Sequence, residues 1–146
     1  MIWPAEKTNL LLLPGSVRHA APAMTLLLYL AALLLGGIGI AHSYLGERFI
    51  LQRLFRRGDL PVILGGTEFT RNTLRFAWHL TTVAWWGFAV LLVMLAHPPL
   101  SPQLVARTIA GVFAIHFLVA LIASRGRHLS WVVFLAIASL VVLASK

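Results

Sequence analysis

Four histidines, His42, His79, His116 and His128, are spread along a chain that has no cysteine and only four acidic residues. Imidazole is the side chain that titrates closest to neutrality, and it is the commonest protein ligand for haem iron and transition metals. Each of the four lies in, or at the edge of, a different apolar run. At about 1.5 Å per helical residue they fall within roughly 10 Å of one another in depth. His19 and His97 lie outside the runs and do not join them.

Three chemistries are open to such a set. Rings on facing helices can ligate haem b or a transition metal, with His42, His79 and His116 first and His128 after them. Together with Arg75 they can instead line a pocket for a lipid headgroup, a quinone or another small molecule, to which Ser43, Glu47, Thr82 and Trp86 would contribute. In the third case each ring donates to a neighbouring carbonyl or hydroxyl, and the chain is a packing module or a subunit of a larger assembly. Trp78, Trp85 and Trp86 can frame a ring-shaped ligand, although bulk packing is the commoner role of deep tryptophans.

Other chemistries lack their residues. Glu6, Glu47, Asp59 and Glu68 all lie outside the apolar cores, which excludes a carboxylate-bridged metal pair and a carrier driven by a mid-membrane acid. No acid can complete a serine-histidine triad within the membrane. The lack of cysteine removes thiolate metal sites, iron-sulfur clusters and disulfides.

The elements that must position the histidines follow from composition. Of 146 residues, 60% are hydrophobic and 11% charged, and the mean hydropathy is +0.89. Such a chain has lipid or its own apolar side chains as its main surroundings. Four runs, 24–46, 74–96, 104–124 and 129–145, approach the ~20 residues needed to span hydrocarbon, and only a helix satisfies its own backbone there. Short connections make neighbours antiparallel. The predicted fold is all-α, an integral membrane antiparallel four-helix bundle, with the fourth run the shortest.

Charge sets its orientation. Arg48, Arg53, Arg56, Arg57, Arg71 and Arg75 lie between the first two runs, Arg125 and Arg127 between the last two, and the turn at His97-Pro98-Pro99 has no lysine or arginine. The positive-inside rule then makes both basic segments cytoplasmic and leaves both termini outside. The net charge of +8 is thereby directed at membrane lipids and anionic headgroups on the cytoplasmic face rather than at nucleic acid. A protein partner or a second copy of the chain remains open.

The connector 47–72 begins with ERFILQRLFRR, whose apolar and basic residues fall on opposite sides of a helix. This basic amphipathic stretch either prolongs the first span or lies in the headgroup plane. Thr67 is the expected N-cap of the next helix. Pro98 and Pro99 end the second span, and Pro102 opens the third. Residues 1–23, broken by Pro4, Pro14, Gly15 and Pro22, are expected to be disordered or untranslated, with initiation at Met24.

Helical faces bring the polar residues inward. Gly36, Gly39, Ser43 and Gly46 recur at spacings of three and four with His42 on their flank, and Arg71, Arg75, His79, Thr82 and Trp86 form a second stripe. His116 continues into Ala120 and Ala123 on the third helix. The basic half of the bundle is expected to be polar inside and the opposite half dry.

Two blocks, AHSYLGERFIL at 41–51 and TLRFAWHLTTVAWWGFA at 73–89, resemble those of a group of small bacterial four-span integral membrane proteins that remain uncharacterised. The resemblance covers about residues 24–143. It implies a four-span architecture and a bacterial inner-membrane home, and it brings no reaction with it.

Overall fold

The computed structural model describes residues 22–146; the expectation for the N-terminal extension falls almost wholly on residues 1–21, which lie outside them. Uninterrupted apolar sequence gives α1 (Pro22–Leu45). It starts on Pro22, whose fixed φ suits a first helical turn and whose missing amide is no loss there. At Gly46 the helix widens into a π-helical stretch, Gly46–Leu51, and then tightens into a last turn, α2 (Gln52–Phe55). The basic amphipathic segment therefore prolongs the first helix.

Beyond Phe55 the chain reverses. Leu60 folds back onto Leu51 and Phe55 to form a small apolar cluster, and Ile63 and Gly66 exchange backbone hydrogen bonds of 3.3 and 3.4 Å. The turn between them places Leu64 at φ 50° and Gly65 at φ 90°, left-handed values that glycine adopts most readily. Because this reversal ends at Gly66, α3 (Thr67–Leu95) has Gly66 as its N-cap and no side-chain cap. The expectation that Thr67 caps the helix is corrected: Thr67 is already its first residue.

α4 (Pro102–Ser124) opens as its sequence predicts, with Pro102 in the first turn and the Ser101 hydroxyl accepting from the Leu104 amide at 3.3 Å. Its end is a left-handed cap at Arg125 (φ 51°) and Gly126 (φ 76°), closed by the Gly126 amide donating to the Leu121 carbonyl at 2.9 Å. α5 (Ser130–Ala144) follows after a short turn.

Among the described residues the fold is all-helical, with four principal helices in serial contact. α1 packs on α3, α3 on α4 and α4 on α5. Phe76, Leu80 and Ala120 form the main apolar core, against which Trp131 and Phe134 of α5 pack. α1 is thus attached to a three-helix core through α3.

The outer surface is apolar, with Leu33 and Leu34 of α1 at 72% and 73% exposure. A soluble protein rarely presents so continuous an apolar surface, which is the expected one where lipid is the solvent. Three helical segments, Pro22–Phe55, Thr67–Leu95 and Pro102–Ser124, are long and apolar enough to cross a membrane. α5 has 15 residues; at about 1.5 Å each this is shorter than the ~30 Å hydrocarbon core.

Candidate functional site: the polar seam between α1 and α3

The small-residue stripe of α1 faces the polar stripe of α3. Where α1 has no side chain, its backbone carbonyls are open to a second donor: Trp86 Nε1 donates to the Gly36 carbonyl at 3.3 Å and Thr82 Oγ1 to the Gly39 carbonyl at 3.3 Å. A second indole, Trp78, donates through Nε1 to the His42 carbonyl at 3.0 Å. Each carbonyl already accepts a bond within its helix, and these contacts use its second lone pair.

Toward the arginine-rich end the seam becomes a connected network. Ser43 Oγ lies 2.9 Å from His79 Nδ1 and 2.8 Å from Thr82 Oγ1. Arg75 grips Glu47 with both arms of its guanidinium, Nε to Oε2 at 3.1 Å and Nη2 to Oε1 at 2.9 Å. His79 Nε2 is 3.7 Å from the same carboxylate. Glu47 sits in the π-helical stretch, a backbone form that recurs at functional sites.

The proton inventory of this network has a direction. Ser43 and Thr82 own one hydroxyl proton each, and the two must serve His79 Nδ1, each other and the Gly39 carbonyl. With a neutral His79 that accepts at Nδ1, Thr82 donates to Ser43 and the Gly39 carbonyl loses its side-chain donor. With the ring proton on Nδ1, Nδ1–H donates to Ser43, Ser43 to Thr82 and Thr82 to the Gly39 carbonyl, the direction in which the Gly39 carbonyl keeps its side-chain donor.

The other histidines are engaged elsewhere. The His42 ring stacks on Trp78 with centroids 4.5 Å apart and planes 1° from parallel, and it lies 4.8 Å from the Trp85 ring. Its Nε2 is buried with no hydrogen-bond partner among the described residues. His116 is buried between α4 and α5, with Nδ1 2.8 Å from the Val112 carbonyl and its ring against Phe134. His128 holds Ser130 Oγ at 2.8 Å from Nδ1 and contacts Phe69 and Phe76.

The structure therefore brings His79 together with Ser43, Glu47, Arg75 and Thr82, sets His42 and Trp86 along the same seam, and leaves His116 and His128 apart. The separation follows from the packing order among the described residues, in which α1 packs chiefly on α3. Among the described residues no group of three histidines or carboxylates is placed to hold a metal ion. One histidine set aside on sequence does find a partner: His97, beyond the end of α3, is hydrogen-bonded to the Tyr29 hydroxyl of α1.

The arginine-rich end is only partly neutralised. Glu47 pairs with Arg75 at 2.9 Å, Asp59 with Arg57 at 3.8 Å and Glu68 with Arg125 at 3.5 Å. Arg48, Arg53, Arg56, Arg71 and Arg127 have no carboxylate partner among the described residues. The amphipathic pattern of 47–57 gave the signal for the first three. Nothing in the sequence signalled that the reversal at 58–66 would bring Arg71 beside Phe55, where its Nη2 donates to the Phe55 carbonyl at 3.3 Å.

Compared with protein-family models, curated proteins and solved structures, the chain gives no match.

Proposed function

We propose that the chain is a small polytopic protein of the bacterial inner membrane that acts as a lipid-binding helical module. Four spans carry both termini outside the cytoplasm, and the arginine-rich end meets anionic headgroups of the inner leaflet. The observation behind this reading is the charge pairing at that end, where, among the described residues, arginines without a carboxylate partner outnumber those with one. Polybasic surfaces beside membrane helices gain about 1 kcal/mol per Lys or Arg from anionic lipid. His79, His116 and His128 are hydrogen-bonded within the protein, which suits packing roles. The histidine seam then fixes α1 against α3, and with it the position of the basic end.

The test is lipid selectivity. Protein purified in detergent is expected to retain phosphatidylglycerol over phosphatidylcholine and to gain thermal stability when phosphatidylglycerol is added. Equal retention of the two lipids overturns the reading. A reporter fused after Lys146 that is active only in the cytoplasm overturns the orientation.

A second reading, a haem or metal centre, rests on His42. Its Nε2 has no hydrogen-bond partner among the described residues and lies beside Trp78 and Trp85; with the ring proton on Nδ1, this nitrogen would be the atom to ligate a haem iron or metal ion. A Soret band or stoichiometric metal in the purified protein supports this reading, and the absence of both removes it.

A further inference from the structure

Two clefts flank the last turns of the first helix. One, of about 210 Å³, is lined by Arg48, Phe49, Gln52, Arg53 and Arg56. The other, of about 330 Å³, is lined by Gln52, Phe55, Arg56, Arg71 and Arg75. They share Gln52 and Arg56, which form the ridge between them. Four of the five arginines without a carboxylate partner line these two clefts.

The second cleft is built rather than accidental. The Arg71 and Arg75 guanidinium groups both lie over the Phe55 ring, 5.7 and 5.1 Å from its centroid. Arg75 is held by Glu47, which fixes its position. Arg71 Nε is buried and has no hydrogen-bond partner among the described residues, an orphaned donor that a bound acceptor would satisfy. In the first cleft Arg53 lies over Phe49 at 5.9 Å.

We infer that the paired clefts bind a ligand carrying two phosphate groups joined by a short linker, one group in each cleft, with Arg56 and Gln52 bridging them. This rests on the reading of the basic end as a headgroup-binding surface and narrows it. Guanidinium forks match phosphate oxygens two at a time, which lysine cannot do. Gln52 and Arg56 line both clefts, so phosphates held one in each cleft lie on either side of the same two side chains, an arrangement suited to two linked phosphates rather than one. The source is a membrane lipid: Phe49 and Ile50, 48% and 49% exposed on the same turns, and Val62 at 72% offer apolar surface beside the charge, the mixture that seats a segment at headgroup depth. A two-phosphate lipid of the cardiolipin type has this chemistry, and free pyrophosphate shares it without the acyl chains.

The test uses the full chain in detergent, with affinity read by native mass spectrometry and by thermal shift. The probes are cardiolipin, phosphatidylglycerol at equal phosphate, phosphatidylcholine and sodium pyrophosphate. Cardiolipin is expected to bind at least tenfold more tightly than phosphatidylglycerol. R56Q, at an exposed position, is expected to abolish that preference, and R71K to reduce it while keeping the charge. R127Q, outside both clefts, is expected to leave it intact. Equal affinity for cardiolipin and phosphatidylglycerol, or equal effects of R56Q and R127Q, overturns the two-phosphate inference and leaves general anionic-lipid binding standing. Pyrophosphate that competes as tightly as cardiolipin binds overturns the lipid source, and phosphatidylcholine binding as tightly as the anionic lipids removes both readings.

Discussion

Trp78 occupies the space that a side chain at Gly46 would need: a Cβ there would stand 2.0 Å from the indole Nε1 and 2.3 Å from Cε2. The same indole stacks on His42 and donates to the His42 carbonyl, so it cannot swing aside without giving up both contacts. Gly46→Ala is therefore expected to lower stability by at least the 1–3 kcal/mol (roughly) typical of overpacking. Gly37→Ala, where nothing lies within 4 Å of the added Cβ, is expected to be neutral. Thermal unfolding of the two variants in one detergent checks the contrast, and equal stabilities would refute close packing at the seam.

A second glycine tests the α3–α4 contact independently. A Cβ at Gly87 would approach Val112 Cγ2 to 2.5 Å, and the neighbouring cleft of about 250 Å³ gives the valine room to turn. Gly87→Ala is expected to cost less than Gly46→Ala, about 1 kcal/mol, because a rotating methyl yields more easily than a stacked indole. Gly87→Ala combined with Val112→Ala is expected to recover part of that loss in the same unfolding assay.

Ser43 is the joint of the polar network, within 2.9 Å of both His79 and Thr82. Hydrogen bonds between membrane helices average about 0.6 kcal/mol and reach about 1.7. Removing two at once by Ser43→Ala is expected to cost roughly 1–2 kcal/mol, while Ser43→Thr, which keeps the hydroxyl, should cost less. A loss as large for threonine as for alanine would mean that size rather than hydrogen bonding governs the position.

Glu47 and Arg75 meet through two parallel hydrogen bonds near the aqueous end of the seam, with side chains 29% and 43% exposed. Exposure of this order screens the pair, so the coupling expected from a double-mutant cycle of Glu47→Gln and Arg75→Gln is about 0.5–1 kcal/mol. The coupling should fall in high salt. A salt-independent value would place the pair in a drier setting than the geometry indicates.

Arg125 ends α4 in the left-handed region at φ 51°, which costs a residue with a Cβ roughly 1 kcal/mol or more. Its ion pair with Glu68 is 3.5 Å long and largely exposed and returns little. Arg125→Gly is therefore expected to raise the unfolding temperature by a degree or more, and a fall would show that the ion pair outweighs the strain.

The contrast between what the sequence made readable and what it hid has a physical basis. Hydropathy gives position along a helix axis, and spacing at three and four gives the side of a helix. Together these marked Gly36, Gly39 and Ser43 on one helix and His79 and Thr82 on another as inward-facing stripes. Neither quantity says which helices are neighbours. His42, His79, His116 and His128 are expected from sequence at a similar depth, yet a common depth assembles a site only when the four helices close around one axis, and among the described residues α1 packs chiefly on α3. His116 also spends Nδ1 on Val112, a carbonyl of its own helix, which no pattern of side chains reveals. The widening at Gly46–Leu51 was hidden because π turns carry no strong residue preference, and α3 begins at Thr67, before its apolar run, because the polar first turns are held by tertiary contacts such as Thr70 Oγ1 to the Pro61 carbonyl at 2.7 Å.

The serial order of the helices has a consequence for transport. A conduit for ions or polar solutes needs walls on every side, whereas among the described residues the main helix contacts run in sequence from α1 to α5. The described part of the chain is built as a row rather than a ring, so it presents a charged rim at one end and two long apolar flanks to its surroundings.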